Sequence, residues 1–256
     1  MLLAVDIGNT DTVAGVFEGK TLKSSFRVSS VRPMTADEAG FFVTGLLQRM
    51  DVAREKIDSV VIGSVVPSLT PVFESASARY LHCSPVIVSA HIKLPIRIEI
   101  DLPDQVGADR IANSVAGFDK FGGPVIVVDF GTATTFDVVS SEGAYIGGVI
   151  IPGPETSMAE LARRAARLFE VPFEKPSSVV GKSTTDALKS GLFFGTVGQI
   201  DYILEMILKE TGFTDPSIVA TGGLTNSIQN YSQHIRAVEP NLTLEGLRLI
   251  FDHQYS

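Results

Sequence analysis

A short segment occurs twice in this chain, and its spacing constrains the fold more than any other feature. Val5-Asp6-Ile7-Gly8-Asn9-Thr10 returns as Val128-Asp129-Phe130-Gly131-Thr132-Ala133-Thr134, and the two aspartates stand 123 residues apart in a chain of 256. An apolar run of strand length leads into each copy, Leu2–Val5 and Val125–Val128, and another leads out, Thr12–Phe17 and Thr135–Val139. One strand-Asp-x-Gly turn is common in β-rich chains. Two at half-chain spacing predict two similar halves, residues 1–117 and 118–256, facing each other across a cleft.

The first half reads as strands followed by helices. Glu18-Gly19-Lys20 turns the chain into a third strand, Leu22–Val28. Thr35-Ala36-Asp37-Glu38 is a helix cap and first turn, with Phe41, Phe42, Leu46 and Leu47 at helical spacing behind it. Ser59–Val66 is again an apolar strand, so the fold class is α/β. With 45% hydrophobic and 20% charged residues the chain can bury a core and is not disordered. Its net charge of −8 argues against gripping a nucleic-acid backbone. A single cysteine, Cys83, cannot form an internal disulfide, which points to a reducing, cytoplasmic location. The apolar stretches Val60–Val66 and Ala144–Pro152 are broken by Gly or Ser and fall short of the ~18 residues of a membrane span. Met1–Val5 has no basic flank and reads as a strand rather than a signal peptide.

The repeated turn suits a phosphate. Gly8 and Gly131 let backbone N–H groups approach an anion, and Asn9, Thr10, Thr12, Thr132 and Thr134 add short donors. Asp6 and Asp129 would repel phosphate directly, but each can hold a cation that touches it. Two such hairpins form a nucleotide clamp. Other clamps fail: no two glycines are separated by one residue, and Gly181-Lys182-Ser183-Thr184 has Pro176 where a P-loop needs its first glycine. That segment reads instead as a loop with Ser183 or Thr184 capping a helix. The four histidines show no metal-ligand spacing.

Gly107-Ala108-Asp109-Arg110 precedes Ile111, Ala112, Val115 and Ala116 at helical spacing. At a helix start the dipole favours an ionised Asp109, which can deprotonate a hydroxyl while Arg110 holds an anionic substrate. Ordinary first-turn capping accounts for the same residues. Ala220-Thr221-Gly222-Gly223 after a strand can pass a flat base or make a tight turn. Ala187–Leu208 is the longest periodic helix, and Gly191, Gly195 and Gly198 along it permit close packing, in the core or at a subunit interface.

These segments, in order over nearly the whole chain, resemble the type III pantothenate kinases: Asp6-Ile7-Gly8-Asn9-Thr10, Gly107-Ala108-Asp109-Arg110, Asp129-Phe130-Gly131-Thr132-Ala133-Thr134, Gly147-Gly148 and Thr221-Gly222-Gly223. The resemblance implies a duplicated actin-like, ribonuclease H-like fold of two similar halves with mixed central sheets and ATP between them. The first half would carry the first phosphate hairpin and the acceptor-site helix. The second would carry the other hairpin, a dimer helix and an adenosine-side diglycine. It implies transfer of the ATP γ-phosphoryl group to the hydroxyl of pantothenate, towards coenzyme A.

By the same resemblance Asp109 is the general base, and Asp6, Ile7, Gly8, Asn9, Thr10, Asp11, Thr12, Val13 and Thr132 contact ATP. Gly107, Ala108, Asp109, Arg110 and Thr184 contact pantothenate, with Thr184 coming from the neighbouring subunit of a homodimer. Asp129 holds potassium or ammonium, and Mg²⁺ accompanies ATP. The family often carries an aromatic residue shortly before Gly-Ala-Asp-Arg; here Glu99-Ile100-Asp101-Leu102 has none. Two alternatives share the fold: another small-molecule kinase, and a nucleotide-gated, actin-like regulator, which would have no need of Asp109 beside Arg110.

Overall fold

The computed structural model describes residues 1–30 and 33–255. The chain divides into two units, Met1–Asp119 with Asn241–Ser256, and Lys120–Pro240.

In the first unit β1 (Leu2–Ile7), β2 (Asp11–Glu18) and β3 (Thr21–Ser29) form an antiparallel meander, and β4 (Ser59–Ser64) and β5 (Val86–Ile87) add in parallel beyond β1. The order is β3-β2-β1-β4-β5. Helix α1 (Ala36–Arg49) starts with the expected capping box: Thr35 accepts from the Glu38 N–H, and Glu38 accepts from the Thr35 N–H. Val43 and Leu47 of α1, with Phe73 of α2 (Thr70–Ala76), pack against Leu3, Val5 and Ile7. A short strand β6 (Arg97–Ile98) leads towards α3 (Ala108–Phe121).

The last helix, α7 (Leu242–Gln254), also belongs to the first unit, although the sequence division at 117/118 grouped it with the second half. Packing explains this. Leu242, Leu244, Leu247 and Ile250 are buried, each worth roughly 1.5–3 kcal/mol. A Cβ on Gly63 of β4 would lie 2.8 Å from Leu247 Cδ2, and one on Gly15 of β2 2.9 Å from Leu244 Cδ1. Gly246 lets α7 close directly onto the Ala112 backbone of α3, and Thr243 donates to Asn113 Oδ1 at 2.8 Å. With helices on both faces, β1 needs the unbroken apolar run seen in its sequence.

The second unit repeats the pattern. β7 (Val125–Phe130), β8 (Ala133–Val139) and β9 (Ala144–Pro152) form the meander, and β10 (Ser217–Gly222) and β11 (Ala237–Val238) extend it in parallel, in the order β11-β10-β7-β8-β9. Both meanders carry a register shift between their second and third strands, at Val16/Phe17 and at Val138/Val139. Helix α4 (Pro154–Arg164) follows β9. Helix α5 (Thr184–Thr211) is capped by Ser183 and buries Phe193, Ile200, Leu204 and Ile207. A four-residue helix, α6 (Thr225–Ile228), follows β10.

Contrary to the estimate from apolar stretches, α5 is long and apolar enough to cross a membrane by length and composition. The core helix of a folded domain passes the same test, and the buried face of α5 packs with Ile126, Val128 and Phe136 of the second sheet. Its glycines do not serve packing within the chain: Gly191, Gly195 and Gly198 are exposed, and a Cβ on any of them meets nothing within 4 Å.

Candidate active site

Each repeated segment is a tight hairpin in its own unit. In the first, Gly8 N–H donates to Asp11 O at 2.9 Å; in the second, Gly131 N–H donates to Ala133 O at 3.1 Å. Ile7 pairs with Thr12 and Phe130 with Thr134, so the second turn is one residue shorter. Asn9, Thr10 and Thr132 are exposed at the tips, as a phosphate site requires. Thr12 and Thr134 are not. The sequence reading offered both hydroxyls as phosphate donors, but strand alternation turns them into the core at 2% and 1% exposure. Thr12 Oγ1 bonds Ser30 Oγ at 2.8 Å, and Thr134 Oγ1 has no partner among the described residues.

The tips are braced differently. Ser30 N–H donates to Thr10 O at 2.8 Å, Val65 N–H to Ile7 O at 3.0 Å, and Arg27 pairs with Asp11 at 2.9 Å. That ion pair offsets the charge of the carboxylate within the first hairpin. In the second unit the start of α4 does the bracing. Thr132 O accepts from Gly153 N–H at 3.0 Å and from Thr156 Oγ1 at 2.7 Å. A Cβ on Gly153 would stand 2.6 Å from Thr132 O.

Asp129 is half-buried, with Thr135 of β8 and Thr221 of β10 directly opposite it on the same sheet face. The chain end of β10 closes over it: Gly222, at φ +92°, has space for no side chain, since a Cβ would come within 2.6 Å of Asp129 Oδ1. The diglycine therefore fits close backbone approach to this carboxylate. Among the described residues no three His, Cys, Asp or Glu side chains cluster as a metal centre. A cation at Asp129 would draw its further ligands from hydroxyl, backbone and phosphate oxygens.

Asp109 stands in the first turn of α3, and its Oδ1 accepts from the Arg110 N–H at 2.8 Å. Burial pushes its pKa above the ordinary carboxylate value, against the pull of that N–H and of the Arg110 charge. The helix-start argument from sequence therefore gave the smaller effect; desolvation wins. A raised proton affinity suits a base. Gly107 leaves room for the Asp109 carboxylate, because a Cβ there would crowd it and come 3.1 Å from Val65 Cγ1.

Thr184 is exposed at the start of α5, in the second unit, whereas Asp109 belongs to the first. Cys83 is buried, and burial pushes its thiol pKa up. A cavity of about 250 Å³ lies between α4 and α5, lined by Met158, Leu161, Leu188, Leu192 and others, without a titratable side chain. It offers nothing for phosphoryl transfer. The sequence reading passed over Thr156 and Asp137; a carboxylate in the apolar run Phe136–Val139 was the available signal.

Two equivalent mixed sheets, each opening on a strand-turn-strand hairpin, define an actin-like fold of the sugar-kinase type. A ROK family glucokinase from Streptomyces griseus, solved with glucose and AMPPNP, shares it at a TM-score of 0.56 and 13% identity, over 98% of this chain and 99% of that one. The family model for type III pantothenate kinase matches residues 2–206. Type III pantothenate kinases from Agathobacter rectalis (41% identical, over 99% of this chain and 98% of the relative) and Brevibacillus brevis (43% identical, over 100% of both) align end to end. The chain belongs to the type III pantothenate kinase family.

Proposed function

We infer that the protein is an ATP-dependent kinase that phosphorylates the hydroxyl of pantothenate, giving 4'-phosphopantothenate at the first step of coenzyme A biosynthesis. The observation that carries this reading is Asp109: a half-buried carboxyl with raised proton affinity, seated beside Arg110 and against Gly107. Phosphoryl transfer is mostly positioning and charge neutralisation. Asp109 accepts the hydroxyl proton, Arg110 faces the pantothenate carboxylate, and Gly107 and Ala108 shape the acceptor side. The hairpin Asp6–Val13 and Thr132 take the ATP phosphates, with Thr12 contributing backbone, since its hydroxyl is committed to Ser30. An ADP-release screen over acceptors tests the reading. ADP is expected only with pantothenate, and turnover on a sugar in preference would overturn it.

Asp129 is assigned a monovalent cation, potassium or ammonium. The Gly222 cradle and the flanking Thr135 and Thr221 fit such an ion, whose charge offsets the repulsion between Asp129 and the phosphates. Mg²⁺ would arrive with the ATP phosphates.

The working form is assigned as a cytoplasmic homodimer, with Thr184 reaching the partner's pantothenate site. The exposed glycine face of α5, with Val179, Val180, Tyr202 and Met206 exposed nearby in sequence or on the helix, supports an interface there. The lone buried cysteine is consistent with a reducing compartment. Subunit mixing tests the shared site. Asp109→Asn and Thr184→Arg homodimers, each inactive, are unfolded, mixed equally and refolded. Recovery of about a quarter of wild-type activity is expected, because half the dimers are mixed and each mixed dimer has one intact site. No recovery, with mixed dimers confirmed by mass, would confine the site to one subunit.

A further inference from the structure

The polar row around Asp129 continues across the sheet. Thr135, opposite Asp129, donates its hydroxyl proton to Asp137 Oδ2 at 3.2 Å. Asp137 is fully buried, and its other oxygen accepts from the Tyr145 hydroxyl of β9 at 3.2 Å. Tyr145 itself is 1% exposed. In the equivalent row of the first unit, the residue opposite Asp6 is Val13, which has no hydroxyl. A hydroxyl has one proton and two acceptor lone pairs. With its proton given to Asp137, Thr135 Oγ1 has only lone pairs left to present on the Asp129 side, roughly 5 Å away across the strands.

We propose that Asp137 is a positioning residue for the cation site: it orients the Thr135 hydroxyl so that its oxygen, with Asp129, presents an acceptor-only surface to a monovalent cation. Tyr145 anchors Asp137 from the far side. The proposal rests on the assignment of a cation to Asp129. Outer partners of this kind typically tune metal affinity by about 10- to 100-fold.

The test reads cation binding without turnover. Thermal unfolding midpoints are followed against KCl, at constant ionic strength made up with LiCl, with a non-hydrolysable ATP analogue present. Asp137→Asn keeps size but must donate from one side, and about a tenfold rise in half-saturating potassium is expected. Thr135→Val should do the same, Thr135→Ser should restore wild-type affinity, and adding Asp137→Asn to Thr135→Val should change potassium affinity no further. Equal losses from Asp137→Asn in both backgrounds would mean that it does not act through Thr135, and would overturn the proposal. Should Asp137→Asn fail to fold, Thr135→Val decides: unchanged potassium affinity overturns it. If Asp129→Asn removes the potassium effect but Asp137→Asn and Thr135→Val leave it intact, only the present proposal falls. Absence of any potassium-specific shift in the wild type removes the Asp129 assignment and this one together.

Discussion

Asp6 and Asp129 occupy the same place in two copies of one strand pattern, but their neighbours differ. Asp6 lies opposite Val13 on one side and Gly63 on the other, neither of which carries a side-chain oxygen. Asp129 lies between two threonines, under a glycine that admits no side chain. The tips differ too: strand and loop backbone brace the first, the start of a helix the second. A duplicated motif thus supplies the same turn backbone twice, while the proposed cation site falls in one copy and the proposed acid–base residue, Asp109, in the unit of the other.

The largest expected effect tests that division at Asp109. Asp109→Asn should lower turnover by about 10²-fold or more with little change in ATP binding. The same variant should be more stable than wild type at neutral pH. A carboxyl whose pKa is raised by folding binds its proton more tightly in the native state, so its contribution falls as pH rises from the unfolded pKa through the folded one. The amide removes that loss. Calorimetry at pH 4 and pH 7.5 checks the sign: the gain should appear at the higher pH. The acid limb of kcat/KM should also lie above the ordinary carboxylate value of about 4.

Next come the two repeated aspartates. Asp129→Ala should abolish potassium dependence and weaken ATP binding by about tenfold, whereas Asp6→Asn should leave potassium dependence in place. Equal potassium sensitivity in the two variants would erase the contrast between the hairpins. The smallest pair concerns the braces. Gly153→Ala forces a Cβ against Thr132 O and should raise the KM for ATP about tenfold. Ser30→Ala removes one hydrogen bond beside Thr12, and its effect should stay at about fivefold, from a typical net value of about 1 kcal/mol. Initial-rate kinetics over ATP concentration separates the two.

The repeat, both hairpins, the Thr35 capping box and the Ser183 cap were legible in the sequence because each depends on residues close together along the chain. The inward turn of Thr12 and Thr134 was legible in principle from strand alternation, but the turn composition outweighed it. The contact of Asp137 with Tyr145 was not, since it requires the β8–β9 register, which a bulge shifts. The place of α7 depended on Gly246 meeting Ala112, which lies far away along the chain. The proton affinity of Asp109 was hidden for a similar reason: the helix start is local, whereas its desolvation comes from tertiary packing.

The two register shifts fall at the same place in the two meanders. Counted from the strand pairs that flank the turns, Thr12 corresponds to Thr134, and Val16/Phe17 falls on Val138/Val139. A bulge disrupts ladder hydrogen bonds and is kept for the bend it gives. The same bend therefore shapes the third strand of each meander at the same distance from its turn. The one-residue difference lies inside the turns, between Ile7 and Thr12 and between Phe130 and Thr134, so two like strand frames hold tips of different length.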